Sequence, residues 1–235
     1  EHGNTPEGQE QQEKYRFVMP INKRKGWRIW FVARLHEYGV LSSTLYTLAE
    51  SPHPCSYHSK SYDSRLKECE EIVDLSDAAY QFSRDVRPQL LSGRVTIGKR
   101  HKLSEFEVKA MIPRGRVHVI LESEPSSLWT GHQICLWNER VTEKTWNAIS
   151  FGHAFILVGT FLSLDLVRAH GFMTFSPCIN ETYGTIWDAD LKMQAALDEI
   201  RRLHALSDAE YDHQYATCLR PRAQFNYDLF HSAEY

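Results

Sequence analysis

Three groups of residues have the types and spacing to act on a phosphorylated ligand. The run Asn22-Lys-Arg-Lys-Gly-Trp-Arg28 gathers Lys23, Arg24, Lys25 and Arg28 into one turn. Free N–H groups at a helix mouth, with guanidinium and ammonium groups beside them, suit a diphosphate. Positive charge there opposes the helix macrodipole, so the run is a poor choice on structural grounds alone; a solvated basic loop is the plain alternative. Glu122 follows the apolar stretch Arg116-Val-His-Val-Ile-Leu121. Thr142-Glu-Lys144 joins a carboxylate, which can accept two hydrogen bonds from a ribose diol, to an ammonium that can reach a phosphate. By themselves Glu143 and Lys144 are more often an exposed first-turn carboxylate and a surface lysine, and their spacing alone is worth little.

The elements around these groups decide what they share. Tyr15-Arg-Phe-Val-Met19 reads as a strand, and Trp27, Trp30, Phe31, Leu35 and Tyr38 recur at helical spacing up to Gly39, a core stripe rather than a base-stacking platform. A strand is expected at Thr44–Leu48, with short helices at 65–73 and 104–111. Arg116–Leu121 and Ala154–Val158 are β-branched and apolar, as buried parallel strands are. Thr142 is a good N-cap for a helix with Glu143 in its first turn and Gly152 beyond its end. A helix over Leu162–Ala169 closed by Gly171, an extended Phe172–Phe175, and a long helix over Asp188–Leu206 striped by Met193, Leu197, Ile200 and Leu203 complete the pattern. Strands alternating with helices predict an α/β, Rossmann-like fold: a mostly parallel sheet with helices on both faces. In such a sheet ligands bind beyond the carboxyl ends of the strands, which is where all three groups fall.

The rest of the sequence narrows the class. Residues 1–14 hold no apolar side chain and read as a disordered leader or linker, leaving 15–235 as one nucleotide-sugar-binding domain. A formal charge of -3 gives no general attraction for polyanions, so no nucleic-acid partner is expected. The longest apolar run, Ala154–Leu166, is too short for a membrane span of about 20 residues. Five dispersed cysteines without a C-x-x-C pair predict neither a disulfide framework nor a zinc site, and on that ground a reducing compartment such as the cytoplasm. Asp188-Ala-Asp190 has the spacing of metal-binding carboxylates but stands at a helix start, where capping explains it; no metal site is expected. His153 reads as a satisfied core residue or pocket wall. Neither G-x-G-x-x-G nor G-x-x-x-x-G-K-[ST] occurs.

The segment Val141-Thr-Glu-Lys-Thr-Trp-Asn-Ala-Ile-Ser-Phe-Gly-His-Ala-Phe-Ile-Leu-Val-Gly159 resembles the donor-site motif of the α1,3/α1,4-fucosyltransferases, glycosyltransferase family 10. His118-Val-Ile-Leu-Glu-Ser123 is similar to that family's strand ending in Phe-Glu-Asn, and Arg16–Leu35 to its strand followed by an Arg-bearing helix. Val141 and Arg140 stand where the family has Ile and an aromatic residue, and Ser123 where it has Asn. The resemblance implies one half of a GT-B fold. It also implies Glu143, capped by Thr142, on the donor ribose, Lys144 on the diphosphate, Arg28 or Arg24 as a second diphosphate contact, and Glu122 shaping the sugar pocket.

The expected activity is metal-independent transfer of a sugar, fucose if the resemblance carries that far, from a nucleotide-diphosphate donor to a glycan or other hydroxyl. The donor is a substrate, GDP-linked by the resemblance, and no cofactor is expected. Lys and Arg would stabilise the departing diphosphate. The family's catalytic base lies in its N-terminal half, so no base is assigned and an N-terminal companion domain is the implied partner. The alternative is a non-catalytic glycan- or protein-binding module that retains the fold.

Overall fold

The computed structural model describes residues 15–21, 26–48, 110–122 and 141–232. The leader 1–14, the helix predicted at 65–73 and most of that predicted at 104–111 lie outside them, as do Lys23, Arg24 and Lys25. The described chain forms an α/β, Rossmann-like fold on a four-stranded, all-parallel sheet.

The strands are β1 (Tyr15–Ile21), β2 (Thr44–Leu48), β3 (Gly115–Leu121) and β4 (Ala154–Val158), in the spatial order β2-β1-β3-β4. Phe17 is level with Thr44 and Val117, and Val117 with Ala154, so the carboxyl ends of all four strands lie along one edge. Helix α1 (Gly26–Glu37) leads from β1 outward to β2, whereas α2 (Glu143–Ser150) leads from β3 outward to β4. Right-handed crossovers, the rule for parallel connections, put helices that travel in opposite directions on opposite faces. The order therefore reverses between β1 and β3.

Sequence accounts for these elements locally. In β1, Phe17, Met19 and Ile21 enter the main core while Val18 faces the other way against Leu45 and Met111, the alternation of a pleated strand. All five residues of β4 are buried, as a strand covered on both faces requires. In α1 the predicted stripe is buried at Trp27, Trp30, Phe31 and Leu35. Arg34 and His36 in its last turn complement the dipole, and Gly39 beyond it takes the left-handed conformation at φ 73°. The β4–α3 turn leads into α3 (Ser163–Ala169), closed by Gly171 at φ 84°.

Helix α4 (Ala189–Ala205) opens on Asp188, whose carboxylate accepts from Leu191 N at 2.8 Å, so Asp188 is a cap. Met193, Leu197, Ile200 and Leu203 are all buried, and α4 lies against α1 and β4. After Leu206 the chain continues in α5 (Asp208–Gln214), a π-helical stretch at Tyr215–Leu219, and α6 (Arg220–His231), which covers α2 and β4. Ser207 and Glu210 start α5 with a reciprocal capping box. Arg16 of β1 clasps this layer from below: its Nη1 donates to the carbonyls of Leu203, His204 and Leu206 at 2.8–3.2 Å, and its Nη2 pairs with Asp208 at 2.6 Å.

Two expectations need correction. The extended segment Phe172–Phe175 joins no strand of the sheet. Side chains satisfy its backbone instead: Asn226 accepts from Met173 N at 2.7 Å and donates to Met173 O at 2.8 Å, and Glu181 accepts from Phe175 N at 2.6 Å. The second concerns the cysteines, which predict no disulfide framework but include one bonded pair. Cys178 and Cys218, 40 residues apart in sequence and 6.2 Å apart at Cα, are bonded, tying the π-helical stretch to the segment after α3. This removes the ground on which a reducing compartment was expected. Among the described residues no helix is long and apolar enough to cross a membrane.

Candidate functional site

The reversal between β1 and β3 brings together two strand-to-helix junctions. From the β1 side comes Arg28, in the first turn of α1. It is only 2% exposed, and its Nη2 donates to Leu121 O at 2.8 Å and Glu122 O at 2.6 Å, the last carbonyls of β3. Burial pushes its guanidinium down to about 10, and the carboxylates of Glu122 and Glu143 oppose that shift. Arg28 thus binds the neighbouring strand and keeps a positive charge at the switch point.

From the β3 side comes Glu122, almost wholly buried. Its backbone N–H extends the β3–β4 pairing to Val158 O at 2.9 Å, which fixes the carboxyl at the sheet edge. Oε1 accepts from Thr142 N at 3.0 Å and Thr145 Oγ1 at 2.8 Å, and Oε2 accepts from Thr142 Oγ1 at 2.5 Å. A buried carboxylate surrounded by donors in this way is a latch between β3 and the mouth of α2. Sequence reasoning offered Glu122 as the wall of a sugar pocket; the structure gives both of its oxygens partners within the protein.

Thr142 caps α2, as its type and position predict: its Oγ1 accepts from Lys144 N at 3.5 Å and from Lys144 Nζ at 3.1 Å. Lys144 Nζ also bonds Glu143 Oε1 at 2.8 Å and lies 4.0 Å from Glu122 Oε2. The two members of the pair differ in setting. Glu143 has a side chain 73% exposed and Lys144 one 23% exposed. Burial raises the Glu143 carboxyl, but the bond and charge of Lys144 outweigh this and hold it below the usual carboxylate range. The ammonium is therefore set among three oxygens at the head of α2.

Of the predicted site residues, Arg28, Glu122, Thr142, Glu143 and Lys144 come together at this edge, and Arg24 lies outside the described residues. Sequence reasoning missed Lys192, buried in the first turns of α4, whose Nζ donates to Gly159 O at 3.2 Å just beyond β4. Burial pushes its ammonium down to about 8. The signal was faint: Lys192 stands one turn before Ala196, on the face that α4 buries. Gly159 is needed there, since a Cβ would lie 2.8 Å from Ser163 Oγ and 3.4 Å from Glu122 Cγ. That contact makes the β4–α3 turn a direct neighbour of the Glu122 latch.

His118 and His153 are a second feature that spacing alone did not disclose. Both are buried, and the Nδ1 of each has no hydrogen-bond partner among the described residues. His153 is thus buried in the core, with its Nδ1 lacking a partner among the described residues. Burial, and to a lesser extent the neighbouring His153, pushes His118 down to about 3, and burial pushes His153 down to about 4. Both imidazoles are neutral at pH 7.

Among the described residues no group of three or more His, Cys, Asp or Glu could hold a metal ion. Compared with family models, characterised proteins and solved structures, the chain finds no match.

Proposed function

We propose that this chain is the donor-binding domain of a GT-B-type glycosyltransferase that takes a nucleotide-diphosphate sugar and passes the sugar to a hydroxyl of a glycan or similar acceptor. The observation that carries the reading is the convergence of Lys144 and Arg28 from two different strand-to-helix junctions at the reversal of strand order, the position where open parallel sheets bind nucleotides. As the sugar–phosphate bond breaks, negative charge grows on the leaving diphosphate. Cations already fixed by protein oxygens stabilise that charge without reorganising at the moment of reaction. Lys144, held by Thr142 and Glu143, is such a cation and is open enough to exchange one partner for a phosphate oxygen. Glu143, exposed beside it and bonded to Lys144, carries a carboxylate that can accept from a ribose diol on its solvent side. The catalytic base belongs to the companion domain implied by the family resemblance, and fucose is the sugar that resemblance suggests.

Isothermal calorimetry against GDP, UDP and CDP tests the proposal. At least one nucleotide should bind, and Lys144→Ala should weaken it about ten-fold or more, the worth of one charge-assisted hydrogen bond of roughly 1.5–3 kcal/mol. Binding that is absent, or indifferent to Lys144→Ala, refutes it.

One observation favours a second reading, a non-catalytic module that binds a glycan or protein and retains the fold. Arg28 and Glu122 are both committed to bonds within the protein, so the switch point is also a structural joint. Sugar transfer, or donor hydrolysis, by the chain combined with its companion domain would exclude that reading.

A further inference from the structure

Beyond the cations, the carboxyl edge of the sheet carries an apolar feature that the proposed function leaves unused. The β4–α3 turn projects Phe161, half-buried, against Trp187, which precedes the cap of α4; the ring centroids are 4.9 Å apart and the planes meet at 63°. Trp187 is 37% exposed, and Leu191, one turn further along, is 64% exposed. Both rings of the edge-to-face pair therefore keep part of their surface exposed at this edge. The same turn contains Leu162 in the left-handed conformation at φ 65°, a strained choice for a residue with a Cβ. It is held by buried hydroxyls, with Ser163 Oγ bonded to Thr160 O at 2.8 Å and close to Thr160 Oγ1 at 2.9 Å. The fold thus keeps a costly turn whose visible result is the placement of Phe161.

We propose that Phe161 and Trp187 form the shelf on which the nucleobase of the donor stacks. This inference rests on the nucleotide-sugar reading above. Position is the first argument: Phe161 lies two residues after Gly159, where a Cβ would come within 3.4 Å of Glu122 Cγ, and Glu122 Oε2 lies 4.0 Å from Lys144 Nζ. Glu122 thus stands between the Lys144 ammonium and the turn that carries Phe161, so a ligand held at Lys144 has this turn as a neighbour across one side chain. Size is the second argument. Two rings and one leucine offer far less than the roughly 800 Å² per partner that a stable protein interface needs, but they match one planar heterocycle. The ring faces accept any base, so the shelf supplies affinity, and discrimination between bases is left to hydrogen bonds at the edges of the heterocycle.

Calorimetry with GDP, UDP and inorganic pyrophosphate, on the full chain and on Trp187→Ala, Trp187→Phe and Phe161→Ala, tests the shelf. Loss of one stacking partner weakens base binding about ten-fold or more. The expected result is that loss for the tighter of the two nucleotides in Trp187→Ala and Phe161→Ala, restoration in Trp187→Phe, and unchanged pyrophosphate affinity throughout. Equal weakening of nucleotide and pyrophosphate would show a collapsed site and overturn the shelf. Nucleotide affinity that ignores the alanine variants while falling in Lys144→Ala would overturn the shelf and leave the donor reading standing. Failure of the unaltered chain to bind any of the three ligands would remove both.

Discussion

Removing the Glu122 carboxylate tests the construction of the site most directly. Glu122→Ala strips three donors of their acceptor at once: the amide and hydroxyl of Thr142 and the hydroxyl of the fully buried Thr145. A buried donor left without a partner costs about 1–3 kcal/mol. The sum over three is an upper bound, because the two hydroxyls can turn toward other acceptors. The buried Arg28 guanidinium also loses a carboxylate that supports its charge. A loss of about 3–5 kcal/mol follows for Glu122→Ala. Glu122→Gln keeps an oxygen for Thr142 N and Thr145 Oγ1 and gives up only the bond at Oε2, so it should cost about 1–2 kcal/mol. Urea denaturation at pH 7.5 measures both, the change falling in the midpoint with the slope preserved. If the alanine variant stays within about 0.5 kcal/mol of the parent, or if glutamine is as harmful as alanine, Glu122 is no latch.

Acid should weaken the fold well above the range in which carboxylates titrate. His118 and His153 have folded values of about 3 and about 4, below the ordinary 6.5, so between 6.5 and 4 the unfolded chain takes up protons that the folded chain refuses. Their full stability is present above 6.5 and is lost as pH falls. Moving from pH 7.5 to 5.5 should cost about 1.4 kcal/mol per imidazole, about 3 in all, and a His118→Gln/His153→Gln variant should lose most of that dependence in paired urea titrations. The Cys178–Cys218 bond closes a 40-residue loop, for which chain entropy gives about 4 kcal/mol as a ceiling. Cys218→Ser, or reduction, should lower the denaturation midpoint accordingly, and an unchanged midpoint would mean that the crosslink constrains nothing in the unfolded chain.

Most elements were legible because a single residue type or period decided them. The β-branched runs at Arg116–Leu121 and Ala154–Val158, the cap at Thr142 and the stripe of α4 each stand within one residue or so of their observed bounds. The glycines after α1 and α3 mark helix ends because both take a left-handed backbone. The missed features depend on partners far along the chain. Nothing around Glu122 announces that Thr142 and Thr145, 20 and 23 residues away, will occupy its oxygens. Phe172–Phe175 carries the apolar types of a strand, but Asn226 supplies from a helix the bonds that a neighbouring strand would have given. The cysteine pair lacks any local signature, whereas α5 did have one: Ser207-Asp-Ala-Glu210 is a capping box. At the site, types and spacing identified which residues gather at the sheet edge. How far each is already committed to its neighbours depends on distances that only the fold sets.

The clasp made by Arg16 has a consequence for how the chain reaches its native state. The partners of this guanidinium lie 187 to 192 residues downstream, and Tyr211 closes over the same place by donating to Arg16 O. During synthesis the first strand is therefore completed long before the partners of this clasp exist. The clasp cannot close until the chain as far as Asp208 has left the ribosome, so a product cut short before Asp208 would leave the amino-terminal rim of the sheet without this cover and open to association with other unfinished chains.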